Sequence, residues 1–294
     1  MDQSKQSISQ VSAAFRFRCN LLARALDRYV GGIEWIGCLL KILDSPTAMD
    51  LFQSELSEYS FLTQRRYSGK PDGIAIGYKR SRFLFEGSAS IPLGNIADRV
   101  ALFAHLKLRS NPDLSLVVAN THLTFPHRQF DYFLRTSQAQ TLVHAADKFC
   151  ENLKEDIPLI LGGDFNGIAP ANKVCTGEDK VKDEWWNVLH KYGKFDSAFF
   201  SANQRHPQVS HVNHNNELVG VDHIFTRGAV KVNECFLEPG NITDTVSIFR
   251  PHVAPLPKYS DIVKHILDPK CDNFSDAWRI LSDHRPITAT FEID

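Results

Sequence analysis

The chain has 294 residues, 43% of them hydrophobic, with 33 Lys and Arg set against 34 Asp and Glu. That is enough apolar material for a sizeable core, and the balanced charge gives no argument for a nucleic-acid or membrane partner, although a local basic face stays open. Six cysteines, Cys19, Cys38, Cys150, Cys175, Cys235 and Cys271, include no CxxC pair, which argues against a zinc knuckle or disulfide framework and for buried thiols in a reducing compartment.

The opening stretch MDQSKQSISQVSAAFRFR lacks an apolar core of signal-peptide length, and no apolar run approaches the ~18 residues of a membrane span. The expectation is an intracellular protein, cytoplasmic in first place and monomeric, with a disordered tail over 1–14 and one domain over 15–294, because no repeat or linker splits the chain. The sequons at Asn241 and Asn273 are then chance matches. Further along, Ile36, Leu39, Leu40 and Leu43 recur at i, i+3, i+4 and i+7 and predict a helix; a strand there would put Lys41 in a buried central position.

Six runs have strand length and β-branched enrichment: DGIAIGYK (72–79), RVALFAHLKL (99–108), LSLVVANTHL (114–123), IPLILGGDF (157–165), VGVDHIF (219–225) and RPITATFEI (285–293). Alternating Val100, Leu102, Ala104 and Leu106 suggest one buried face. Between the third and fourth runs, residues 128–155 place Phe130, Phe133, Leu134, Leu142, Val143, Ala146, Phe149 and Leu153 at helical spacing. Strand, helix and strand in that order imply a crossover, and polar residues gather just past the strand ends, where ligands bind in such sheets: Asn120 and His122 after one, Asp164 and Asn166 after the next.

Four stretches carry the chemistry: NTHL (120–123), GGDFNG (162–167), VDHIF (221–225) and SDHRPI (282–287). Singly each has a plain structural explanation, a hydrogen-bonded histidine, an Asx turn or a satisfied buried carboxylate. Together and in this order they resemble the signature set of the endonuclease/exonuclease/phosphatase (DNase I-like) superfamily, and in particular its deadenylase branch, which includes nocturnin and the Angel proteins. DGIAIGYK is similar to that family's Asp-Gly hairpin strand, Arg135 to Gln138 to its Arg-x-x-Gln pattern, and residues 209–225 to a plant-type subgroup.

The resemblance implies an α/β fold, a four-layer sandwich of two mixed sheets flanked by helices, and Mg²⁺-dependent cleavage of phosphodiesters, with Mn²⁺ as the alternative ion and RNA, including a 3′ poly(A) end, as the leading substrate. Under it Asp164 orients or deprotonates the attacking water and Asn166 fixes that water or a phosphate oxygen. His122 and His284 face the scissile phosphate, Asp222 buttresses an imidazole, and Asp283 and Asn20 contribute to the metal. His223 should point away from Asp222 and is left out of the site. His211 and His214, spaced H-x-x-H, are either substrate contacts or loop residues, and Phe125, Phe130 and Tyr132 either stack on a base or pack.

One family element is absent as written, a Glu in a Leu-Gln-Glu strand. In an alternative register of residues 34–56, Asp44 takes that place; in the helical reading the strand is missing outright, which makes segment 31–50 atypical. Two further functional readings follow: a catalytically impaired phosphate- or RNA-binding protein that keeps the fold, and a small-molecule or lipid phosphatase.

Overall fold

Two β-sheets lie face to face, and a long helix covers the outer face of the larger one. The computed structural model describes residues 36–43 (backbone only), 53–54, 56–67, 72–94, 98–125, 127, 129–153, 157–170, 184–207, 209–212, 218–237 and 284–293. Strands β1 (Ile36–Leu43), β2 (Tyr59–Arg65) and β3 (Asp72–Lys79) form the smaller sheet in the order β1-β3-β2, all pairs antiparallel.

The larger sheet takes β4 (Phe83–Pro92), β5 (Val100–Leu108), β6 (Ser115–His122), β7 (Leu159–Asp164), β8 (Asp196–Ser197) and β11 (Asp222–Arg227), in the order β4-β5-β6-β7-β11-β8. It is mixed, because β6 and β7 run parallel across helix α1 (Gln129–Leu153) while the other pairs are antiparallel. Two small ribbons complete the described sheets, β9 (His211–Val212) with β10 (Leu218–Val219) and β12 (Val230–Leu237) with β13 (Ile287–Ile293).

Strand alternation sorts side chains between layers. Val100, Leu102, Ala104 and Leu106 of β5 pack with Leu116 and Val118 against Ile74, Ile76 and Tyr78 of the smaller sheet. Their neighbours Ala101 and Phe103, with Val117 and Ala119, face Ala139, Leu142, Val143 and Ala146 of α1. Strand β5 is therefore buried on both faces, not on one as its alternation suggests; the alternation marks which layer each residue enters. Losing a ring such as Phe103 from this packing costs about 3–5 kcal/mol.

Two expectations are corrected. Residues 36–43 form a strand, not a helix: β1 pairs with β3 from Ile36↔Tyr78 to Leu43↔Asp72, with a register shift between Leu40 and Ile42. Backbone pairing with β3 outweighs the local i, i+3, i+4 spacing, and Lys41 sits at the irregularity, outside the regular pairing with β3. No Glu occurs within Ile36–Leu43. In α1, Phe130 and Phe133 do not belong to the buried face; they are 58% and 61% exposed. There the inward positions are held by Arg135 and Gln138 instead, both buried.

Candidate active site

The strand registers bring the first three site residues side by side. His122, the last residue of β6, is opposite Asp164, the last of β7, and Asp164 is opposite Asp222, the first of β11. Residues opposite one another on adjacent strands share a face, so the three side chains rise from the same edge of the larger sheet. His122 Nε2 lies 3.3 Å from Asp164 Oδ2.

His284 arrives from far along the chain. A bridge to His211 fixes its backbone, and Arg285 N–H donates to Ser210 O at 2.7 Å. Its Nδ1 is 3.1 and 3.0 Å from the two oxygens of Asp222, and its Nε2 is 3.9 Å from Asp164 Oδ2. A carboxylate only accepts, so Nδ1–H donates and Nε2 is left directed toward Asp164 and the cleft edge.

Asp222 is the pivot of this cluster. Burial pushes its carboxyl up, but the charge and hydrogen bond of His284, the hydroxyl of Ser210 and the charge of His211 together hold it below the ordinary carboxylate value. Ser210 Oγ donates to Asp222 Oδ2 at 2.6 Å and itself accepts the Val221 and Asp222 N–H groups at 3.0 Å. An ionised, fully hydrogen-bonded Asp222 sets the orientation of His284 by accepting its Nδ1–H, and the His211 ring stacks on the His284 ring at 3.9 Å and 17°.

The loops that follow β6 and β7 are tied together. Asn166 takes a left-handed φ of 48°, its N–H donates to Asp164 Oδ1 at 2.8 Å, and its Nδ2 donates to Leu123 O at 2.9 Å. One N–H of the Asn166 amide thus satisfies the Leu123 carbonyl, and its backbone N–H braces Asp164. Arg135 donates through Nη1 to Asn166 O, and Gln138 accepts from Thr124 N–H at 2.9 Å while donating to Thr124 Oγ1 at 2.8 Å. These two residues replace apolar side chains on the inner face of α1 because each grips the loop two residues past a site residue.

The glycines of GGDFNG answer to space. A Cβ on Gly163 would stand 2.2 Å from Thr121 O, and one on Gly167 would stand 2.3 Å from the Trp185 indole nitrogen. Behind the site His223 points the other way from Asp222, packed among Phe165, Trp185, Trp186 and Phe225. Its Nε2 is 3.0 Å from Gly167 O, and burial lowers it to about 4, so it is a neutral imidazole whose Nε2–H donates.

Asn20, Asp44, His214 and Asp283 lie outside the described residues. Phe125 packs edge-on to His127 at 4.7 Å, Tyr132 lies under the Arg135 guanidinium at 5.2 Å, and Phe130 is exposed. Sequence reasoning missed Ser210, whose only local sign is its place beside His211, and gave no task to Arg135 and Gln138 beyond their spacing.

Asp164, Asp222 and His284 offer ligand atoms all within 4.8 Å of one another. Two buried carboxylates on one wall suit a hard divalent cation. Asp222 is held by His284 and Ser210, while Asp164 is held by the Asn166 N–H and lies 3.3 Å from His122. No helix among the described residues is long and apolar enough to cross a membrane.

No family model matches the sequence. The chain is 25% identical over 216 residues to an uncharacterized calcium-binding protein of Arabidopsis thaliana, covering 69% of this chain and 43% of that protein. It is 34% identical over 117 residues to nocturnin of Drosophila melanogaster, covering 38% of this chain and 17% of that protein. The matches thus span less than half the length of these relatives. Among solved structures, an endonuclease/exonuclease/phosphatase from Bacteroides vulgatus superposes with a TM-score of 0.63 at 16% identity over 95% of this chain and 92% of that one. ANGEL2, a 2′,3′-cyclic phosphatase in complex with adenosine-2′,3′-vanadate, gives 0.63 at 17% identity over 94% and 86%. The chain therefore has the DNase I-like fold of the endonuclease/exonuclease/phosphatase structures, and part of its sequence is similar to nocturnin.

Proposed function

We propose that the chain hydrolyses phosphodiester bonds with the help of a divalent cation, Mg²⁺ in first place, and that RNA is its substrate. The observation that carries this reading is the approach of His122 and His284 to within 3.3 and 3.9 Å of the Asp164 carboxylate at one sheet edge, although 162 positions separate the two histidines. The fold relationship to ANGEL2, solved with an adenosine vanadate, and the sequence similarity to nocturnin support a substrate of nucleotide type.

The residues divide the work by what they touch. Asp222 holds the Nδ1–H of His284, so that the Nε2 edge of the ring faces the reacting group. His122 and, with both ring nitrogens protonated, His284 supply N–H donors to the phosphoryl oxygens as negative charge builds there, and Asp164, fixed by the Asn166 N–H, orients the attacking water and takes up its proton. When bound, the cation would neutralise charge on the phosphoryl group, with Asp164 as its ligand among the described residues and Asp283 and Asn20 as candidates from the sequence. Arg135 and Gln138 position the two loops.

The test is direct. Purified protein is incubated with an end-labelled poly(A) RNA, a DNA oligonucleotide and bis(p-nitrophenyl) phosphate, with and without Mg²⁺. RNA shortening that needs the ion and disappears in Asp164→Ala supports the proposal. Three intact substrates, or an Asp164→Ala variant as active as the parent, would overturn it.

A further inference from the structure

A narrow, partly open cleft lies beside the reacting centre and shares His122 with it. Arg66, Asp72, Gly73, Ile74, Arg99, Val100 and His122 line it. The topology puts it there: β5 begins at Val100 next to the end of β6, where Thr121 Oγ1 donates to Val100 O at 3.2 Å, and the first residue of β3, Asp72, brings the smaller sheet to the same edge.

Among the described residues, Arg99 has two buried nitrogens, Nε and Nη1, without a hydrogen-bond partner. A guanidinium has no acceptor of its own and cannot shed its charge at neutral pH, so donors left this way in a protein wall call for an anion. Burial and the like charge of Arg66 pull Arg99 down to about 10, and they outweigh Asp164, Asp72 and Asp98, which act the other way. Asp72 is already engaged, with both oxygens 3.3 and 3.1 Å from Arg66 Nη1.

We propose that Arg99, assisted by Arg66, forms a phosphate subsite next to the reacting centre, so that the preferred substrate carries a second phosphate group beside the one attacked. The inference rests on the hydrolytic reading of His122, Asp164 and His284 and adds the substrate class to it: an oligonucleotide, or a nucleotide bearing two phosphates, in preference to a simple monophosphoester. Planar recognition of a phosphate by two N–H groups suits Arg and not Lys, so the side chain itself matters beyond its charge.

The test uses two readouts on the full chain. In the first, inorganic pyrophosphate is titrated by calorimetry into metal-free parent, Arg99→Gln and Arg99→Lys proteins, with thermal melts to show that each is folded. Binding by the parent that weakens about 10- to 100-fold in Arg99→Gln and is partly restored in Arg99→Lys supports the subsite. A parent that does not bind pyrophosphate, or an Arg99→Gln protein that binds as the parent does, overturns it. In the second, the ratio of kcat/KM for a dinucleotide bearing a terminal phosphate to that for bis(p-nitrophenyl) phosphate falls by a similar factor in Arg99→Gln; an unchanged ratio overturns the subsite while leaving hydrolysis standing. Arg99-dependent binding in a protein that cleaves nothing supports the subsite and rejects hydrolysis.

Discussion

Replacing Asp222 by Asn removes one charge while keeping the shape of a buried side chain, and the structure sets what is lost. The carboxylate accepts from Ser210 Oγ at 2.6 Å and from His284 Nδ1 at 3.0 and 3.1 Å. An amide presents one oxygen and one NH₂, so either the serine or the imidazole meets a donor instead of an acceptor. Hydrogen bonds to a charged group are worth about 1.5–3 kcal/mol, and losing one while mismatching its partner puts the destabilisation at roughly 3 kcal/mol. The same loss of orientation at His284, carried into the transition state, lowers kcat about 100-fold. Urea unfolding of the parent, Asp222→Asn, His284→Gln and the double variant measures the coupling without any need for activity. We expect about 1.5–3 kcal/mol of coupling between the two positions; effects that add to within ~0.5 kcal/mol would refute the idea that Asp222 acts through His284.

The pH behaviour of the pair has a definite sign. Asp222 is held below its unfolded value, so its stabilisation is complete above about pH 4 and fades as pH falls through the folded value; Asp222→Asn should flatten the acid limb of the melting curve. His223 is lowered from 6.5 to about 4, so the unfolded chain takes up a proton first and stability falls between those values by roughly 3 kcal/mol; in His223→Gln that slope should vanish, and a slope that persists contradicts a buried neutral imidazole. Gly163→Ala drives a methyl group into Thr121 O and should cost at least about 1–3 kcal/mol in urea unfolding, with native stability as the contrary result. Arg135→Lys should lower kcat while leaving the melting temperature closer to the parent's than Arg135→Ala does, because the loop grip on Asn166 O needs the guanidinium geometry; equal kcat in Arg135→Lys and the parent speaks against a positioning role.

Much of the site was legible because its residues end strands. Apolar runs closing on His122 and Asp164, or opening on Asp222, mark where a buried strand meets solvent, and the strand register then sets those three side by side. The brace around them was not legible. Ser210 lies 12 positions before Asp222, and Arg135 lies 31 before Asn166, so their contacts exist only once the sheet and α1 are assembled. The tie of Asn166 to the backbone was not legible either, since only the assembled loops turn its Nδ2 to Leu123 O. Segment 36–43 failed for a different reason. Its apolar spacing fits either a helix or a strand, and the choice is made by β3, which pairs with it through backbone groups that carry no sequence signature. His223 shows the reverse case: strand alternation alone placed it behind the site, in an aromatic wall.

The decisive measurement is single-turnover cleavage of an end-labelled RNA by parent and Asp164→Asn proteins across a Mg²⁺ titration, with ion binding followed by calorimetry on the same samples. Ion-dependent cleavage by the parent, lost at least about 100-fold in Asp164→Asn with the fold intact, is the predicted result. Cleavage that survives the substitution, or a folded parent that binds no ion and leaves the RNA whole, would show that these residues meet at the sheet edge for some purpose other than breaking phosphodiester bonds.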